Sequence, residues 1–134
     1  MAANTTPTFT ITPEIGMASI TTANTARDGT GTMATLLTGA TAGTRVTRIT
    51  ITSLGTNTNG MIRLFIGDDA GSPNIRLWKE ILAPATTGSV TVLEFNSTQY
   101  LPGESAIVLP PNYTLRVSTH VGEPYAVIAE GGDY

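Results

Sequence analysis

His120 is the only histidine in the chain and the one candidate for a catalytic imidazole. It follows Ser118 and Thr119, whose hydroxyls would be the nearest nucleophiles in the sequence. A hydrolytic triad needs a base, an orienting acid and a nucleophile that the fold brings together. Because serine and threonine occur throughout this chain, their closeness to His120 does not indicate a nucleophile. The sequence therefore favours a histidine with an ordinary structural role at a strand end.

Pairs of carboxylates could support glycoside hydrolysis, in which one acts as the acid and the other as base or nucleophile. The candidates are Glu80, Glu94, Glu104, Glu123 and Glu130. Such a pair normally lies in a cleft with several aromatic side chains, whereas this chain has one Trp, four Tyr and three Phe. Most of these aromatic residues are expected in the core. We therefore predict that the protein is not an enzyme and needs no cofactor.

Asp68 and Asp69 lie in a loop rich in glycine, serine and proline, which suggests a calcium site. Calcium takes about six to eight oxygen ligands, usually from several spaced carboxylates. Two adjacent aspartates are more typical of a solvated turn. The sequence therefore predicts no metal site.

Composition limits the possible partners. Charged residues make up 13% of the chain, about half the usual share, and threonine supplies about a fifth. The net charge of −3 and the scattered basic residues argue against nucleic acid, whose binding needs clustered lysine and arginine. No apolar run reaches the roughly 20 residues of a membrane span. A surface with few charges and many threonines is typical of proteins that assemble with other proteins.

The elements that must position these residues are predicted to be β-strands. Residues 45–66 alternate apolar and polar side chains on either side of a polar loop, which predicts a hairpin with one apolar face. Further strands are predicted at residues 8–11, 17–22, 32–37, 75–82, 89–95, 106–109, 113–118 and 125–129. The predicted core is Ile49, Ile51, Ile62, Leu64, Ile66, Leu77, Leu115 and Val117. In strand 75–82, Ile75, Leu77 and Ile81 are expected on one face, with Trp78 and Glu80 on the other.

This spacing of strands and turns predicts an all-β protein, an antiparallel β-sandwich of the jelly-roll or a related Greek-key type. Residues 44–134 would form the sandwich, and residues 1–43 an extended N-terminal arm with short strands. Ordering the backbone costs roughly 1–2 kcal/mol per residue, and the arm has few large apolar residues to offset that cost. We therefore expect the arm to lie on a partner protein, and a protease to leave a folded core from about Thr44. The arm residues expected to contact the partner are Phe9, Ile11, Ile15, Met17 and Ile20.

Phe65 and Trp78 fall on the polar faces of their strands by simple alternation. One interpretation is that the second sheet or the N-terminal arm covers this face. The other is that both residues anchor a protein interface, where aromatic side chains are enriched. The sequence leaves both interpretations open.

Several segments resemble a family of small virion proteins of tailed bacteriophages. The resemblance rests on VTRITITSLGTNTNGMIRLFI, LWKEI, LPPNYTLRVSTH and VIAEGGDY, and it covers about the last 90 residues but not the arm. Among such proteins the chain is most similar to the small β-sandwich proteins that cement phage heads. The resemblance implies a capsid decoration protein on the virion surface, made in the host cytoplasm. It implies the major capsid protein as partner and a homo-oligomer, either a dimer or a trimer.

Two alternative functions fit the same fold class. The chain could be a tail-associated or baseplate β-domain, or a carbohydrate-binding β-sandwich used in host attachment. Exposed coplanar aromatic residues and a bound calcium ion would favour carbohydrate binding. The low aromatic content speaks against it.

Overall fold

The computed structural model describes residues 9–69, 74–102 and 106–134, which form two antiparallel β-sheets packed face to face. Sheet A contains β1 (Thr12–Ile20), β3 (Thr44–Ser53), β6 (Asn96–Tyr100), β7 (Ile107–Leu109) and β9 (Tyr125–Asp133). Sheet B contains β2 (Ala34–Thr38), β4 (Gly60–Asp68), β5 (Asn74–Ala83) and β8 (Tyr113–Thr119). The prediction of an all-β antiparallel sandwich is confirmed.

The strand order is that of a jelly roll. Sheet A runs β1-β9-β3-β6, with β7 also paired to β3, and sheet B runs β2-β8-β4-β5. Since β6 and β7 pair with successive parts of β3, they act as one interrupted edge strand. The pairs are then nested along the chain, with β4–β5 innermost, followed by β3 with β6 and β7, then β2–β8, then β1–β9. Eight strand positions in two such sheets define the fold.

The core lies between the inner faces of the two sheets. Alternation along β3 and β4 directs Ile49, Ile51, Ile62 and Leu64 inward, and all four are fully buried. Leu115 and Val117 on β8 are also fully buried, as predicted. Ile66 is half-buried and packs against this cluster.

A β-bulge in the pairing of β4 with β5 overturns the predicted faces of β5. Leu64 pairs with Lys79 but Phe65 pairs with Leu77, so Trp78 is the extra residue. One extra residue inverts the alternation beyond it. Leu77 therefore shares the outer face of sheet B with Phe65 and does not belong to the predicted core. Trp78 packs against the core, so its assignment to the polar face was wrong.

β1 and β2 are strands of the sandwich, so the predicted arm and its boundary at residue 43 are wrong for the described residues. β1 pairs with β9 over its whole length, and β2 pairs with β8. Ile20, Leu36 and Leu37 are buried in the common core. Few apolar residues are needed here, because the other strands supply the rest of that core. β1 also approaches β2 so closely that a Cβ on Gly16 would lie 1.8 Å from the Leu36 carbonyl oxygen.

The chain between β1 and β2, residues 21–33, crosses the outer face of sheet B, and we call it the cover segment. The main-chain amide of Asn24 donates to the Thr119 carbonyl on β8 over 2.8 Å. The Arg27 guanidinium lies 2.5 Å from the Glu80 carboxylate on β5. The cover segment therefore contacts both strands that flank β4 in sheet B.

Phe65 is fully buried on the outer face of sheet B. In register it lies between Leu77 on β5 and Arg116 on β8. The cover segment passes over the same face, where it contacts Arg63 and Glu80. The prediction that Phe65 anchors a protein interface is therefore wrong, and the N-terminal part of the chain covers this face.

The predicted strand at residues 89–95 is also wrong. These residues lie in the connection between β5 and β6, and the strand begins only at Asn96. The Ser89 amide donates to the Val92 carbonyl over 2.9 Å, which closes a tight turn where an extended strand was expected. The predicted strand at residues 8–11 lies partly outside the described residues, and β1 begins at Thr12.

Candidate functional site

His120 has structural contacts in the fold. Its main-chain amide donates to the Met61 carbonyl over 2.9 Å. On the side chain, Arg63 Nη1 lies 3.2 Å from Nδ1 of the ring. Arg63 is itself nearly buried, and it lies 3.8 Å from the Glu80 carboxylate. The His120 side chain therefore contacts an arginine of β4 that also approaches β5.

The candidate glutamates lie at separate places and have different partners. Glu80 pairs with Arg27, Glu130 pairs with Arg48 across β3 and β9, and the Glu123 carboxylate accepts from the main-chain amide of Thr58. Glu104 lies outside the described residues. Glu80, Glu123 and Glu130 thus have local structural partners, whereas the buried Oε2 atom of Glu94 has no hydrogen-bond partner among the described residues.

The aspartates of the β4–β5 loop are engaged by the chain itself. Asp69 forms an ion pair with Arg116 on β8, and Asp68 is the last residue of β4. Residues 70–73 of the same loop lie outside the described part of the chain. In the described residues, no three histidine, cysteine or carboxylate side chains are grouped to hold a metal ion.

Four of the predicted interface residues lie on the surface. Phe9 and Ile11 precede β1 and are 77% and 83% exposed, and Ile15 and Met17 point outward from β1. Ile20 is different, because the alternation of β1 places its side chain in the core. The assignment of Ile20 to an interface is therefore wrong, whereas the interface role of the other four stays a prediction.

The outer face of sheet A carries threonine and apolar side chains and few charges. One row across the sheet runs from Met17 to Ile128, Thr50 and Thr98, in the order of the strands. In the next row, the outward charges of β9 and β3 neutralise each other through the Glu130–Arg48 pair. A face of this kind can contact another protein with little cost of charge desolvation.

Sequence analysis missed a group of three exposed apolar side chains in the connection between β5 and β6. Val90 is fully exposed, Leu93 is 80% exposed and Val92 is half-exposed. The alternating pattern of residues 89–95 was interpreted as a strand of the sandwich. For this reason the side chains of these residues were not expected to be exposed. A signal was present in Pro84 and Gly88, since both residues favour a long connection before the next strand.

Tyr125 is the buried titratable group whose ionisation should affect folding. Burial raises the pKa of its phenol, and the nearby Glu123 carboxylate raises it further. A pKa raised on folding stabilises the protein below the ordinary value of about 10, and this contribution is lost as the pH rises above it.

We expect Tyr125→Phe to reduce the alkaline loss of stability, because phenylalanine cannot ionise. Thermal melts of both proteins should be compared at neutral pH and at successive values above about pH 10. The midpoint of the wild-type protein should fall more steeply than that of the variant. Equal falls in both proteins would show that other groups cause the alkaline unfolding.

No described residue belongs to a helix that is long and apolar enough to cross a lipid bilayer. No protein-family model matches this sequence, and no curated protein matches it significantly. The resemblance to virion proteins of tailed phages therefore stays a prediction.

Proposed function

We propose that this protein is a structural virion component that decorates a bacteriophage capsid and stabilises it by bridging neighbouring major capsid subunits. The observation that carries the proposal is the distribution of exposed apolar side chains. They concentrate before and along β1 and in the connection after β5. Such a surface is suited to contacts with proteins.

The fold supports the proposal by analogy. Jelly rolls occur in viral capsid proteins, but they also occur in lectins, so the fold alone does not decide the function. A lectin would use exposed aromatic side chains as a platform for sugar rings. Trp78 packs against the core and Phe65 is buried, which leaves Tyr100 on β6 as an exposed tyrosine on the edge of sheet A.

Decoration would stabilise the shell through mass action. Each copy would bury apolar surface across a boundary between capsid subunits, and that boundary exists only in the assembled shell. Binding to the assembled state alone shifts the equilibrium away from dissociated or ruptured shells. The effect grows with the concentration of free decoration protein relative to its dissociation constant.

We expect the double variant Phe9→Ser/Ile11→Ser to bind capsids at least about 100-fold more weakly. Burying each of these side chains in a partner contributes about 1.5–3 kcal/mol, and 1.4 kcal/mol corresponds to a factor of ten in Kd. Binding can be measured by co-sedimentation of purified protein with undecorated shells of the phage, and cryo-electron microscopy locates the added density.

Leu82→Ser is the matched control, because Leu82 is an exposed apolar residue on β5 of the other sheet. It should bind as the wild-type protein does. Failure of the wild-type protein to bind any shell would contradict the proposal. Density at the tail, or binding to a glycan array, would favour one of the alternatives.

A further inference from the structure

An open recess lies between the end of β3 and the connection that leads into β6, and we call it the Glu94 recess. Its volume is about 580 Å³, above the roughly 300 Å³ at which ligand pockets begin. The side chains that matter for its chemistry are Thr52, Ser53, Val90, Val92, Leu93 and Glu94. Among the described residues that line the recess, Glu94 is the only charged one. The recess therefore combines an apolar rim with one acidic group.

The Glu94 carboxylate receives no counter-charge from its own chain. None of the ion pairs among the described residues includes Glu94. Its Oε2 atom is buried and has no hydrogen-bond partner in the described part of the chain. A buried charged oxygen without a partner costs free energy, which a donor from outside the chain can recover.

The fold holds this carboxylate in a defined place. A Cβ on Gly88 would lie 2.2 Å from Glu94 Oε1, so the carboxylate occupies the space that a side chain at residue 88 would need. The next residue, Phe95, accepts at its carbonyl from the Ser53 amide over 2.8 Å, which fixes the chain to the end of β3. A group that is positioned in advance loses less conformational freedom when it binds.

The apolar rim suits the stem of a long basic side chain. The Ser89 amide donates to the Val92 carbonyl over 2.9 Å, which closes the turn that carries Val90. Val90 is fully exposed and Leu93 is mostly exposed. Arginine has an aliphatic stem that packs on apolar surface, and its guanidinium can donate to both oxygens of a carboxylate. One arginine can thus cover the rim and reach Glu94 at the same time.

We propose that the Glu94 recess receives an arginine side chain of a partner protein, whose guanidinium donates to the Glu94 carboxylate while its stem lies on Val90 and Leu93. Charge complementarity selects this occupant. An apolar group would bury the carboxylate further without supplying a donor, and an acidic group would be repelled. Arginine fits better than lysine, because a guanidinium is less strongly hydrated than an ammonium group and leaves water at a lower cost.

This inference deepens the proposed function and rests on it for the identity of the partner, which would be the major capsid subunit. It can fail separately, because binding of a guanidinium by the purified protein is measured without capsids. The capsid contact of Phe9 and Ile11 is tested by its own variants.

The first test follows the main-chain amide signals of residues 88–96 by NMR while n-butylguanidinium chloride is added to the isotope-labelled full chain. Sodium chloride at the same concentrations is the reference for ionic strength. We expect saturable shifts in the wild-type protein. Glu94→Gln should bind the probe at least about tenfold more weakly, because a charge-assisted hydrogen bond is lost. Gly88→Ala should also bind it more weakly, since the added methyl group displaces the carboxylate.

Two control variants should bind the probe as the wild-type protein does. Glu14→Gln removes one negative charge from β1, and Gly55→Ala adds a methyl group where no atom lies within 4 Å of the new Cβ. Circular dichroism melts should show that all the variants stay folded. Absence of shifts in the wild-type protein, unchanged binding by Glu94→Gln, or equal binding of n-butylammonium would each overturn the proposal.

The second test repeats the comparison with undecorated shells of the phage. Glu94→Gln should co-sediment with them at least about tenfold more weakly than the wild-type protein. Shell binding that is unaffected by Glu94→Gln would overturn the inference. A wild-type protein that binds the probe through Glu94 but binds no shell would support the inference and contradict the proposed capsid function.

Discussion

Deletion of residues 1–43 is expected to abolish cooperative folding. The deletion removes β1 and β2, and with them the buried side chains of Ile20, Leu36 and Leu37. Loss of a large core side chain costs about 2–5 kcal/mol, so three cost roughly 6–15 kcal/mol. This is as large as the whole stability of a typical domain, about 5–15 kcal/mol. The truncated protein should show no sharp thermal transition.

Limited proteolysis of the full chain provides the comparison. Residues 12–20 should resist cleavage, because β1 is paired along its whole length with β9. A truncated protein beginning at Thr44 that melts sharply would contradict the structure. That result would restore the hypothesis of a separable arm.

Leu64→Ala is expected to destabilise the protein by about 2–5 kcal/mol. Leu64 is fully buried at the centre of sheet B, between Val117 on β8 and Lys79 on β5. Truncating the side chain leaves a cavity between the two sheets. The chain crosses between the sheets several times, so the sheets cannot move together enough to fill this cavity. Chemical denaturation with a linear extrapolation gives the change in unfolding free energy.

The control for this prediction is Leu54→Ala, at an exposed leucine just after β3. It should change the unfolding free energy by less than about 0.5 kcal/mol. Equal losses at Leu54 and Leu64 would mean that the inner face of β4 has been assigned incorrectly.

The buried faces of β3 from Ile49 onward and of β4 up to Leu64 could be predicted from the sequence, because the period of two holds over these residues. Ile49, Ile51, Ile62 and Leu64 are all in the core for this reason. A register shift between Val46 and Arg48 breaks the period earlier in β3. The faces of β5 could not be predicted in the same way. The bulge at Trp78 adds one residue to a regular pattern, and its position depends on the partner strand and not on β5 alone.

The N-terminal strands show a second limit of sequence analysis. A segment with few apolar residues was interpreted as an arm, since its own residues cannot offset the entropy of ordering. In the fold, β1 and β2 add to edges that β9 and β8 already provide, so main-chain hydrogen bonds and a few buried residues suffice. Nothing in residues 1–43 alone reveals partners that lie about 80–120 residues away in the chain.

The candidate surface could be predicted only in part. Ile15 and Met17 were identified because they are large apolar residues in a polar segment, and they are exposed. The exposed side chains of Val90, Val92 and Leu93 were missed because an exposed turn and a buried strand can share the same alternating pattern. Only the position of the chain after β5 distinguishes them, and that position depends on the whole fold.

The position of β9 between β1 and β3 determines when sheet A can form during synthesis of the chain. β9 is the last strand in chain order, yet sheet A cannot join β1 to β3 until it docks. Folding that depends on such distant pairings is slow, on the order of milliseconds to seconds. While the chain is still on the ribosome, β1 and β3 present unpaired edges that other strands could capture. Rapid translation from β3 through β9, or a chaperone that shields β3, would therefore increase the yield of native protein.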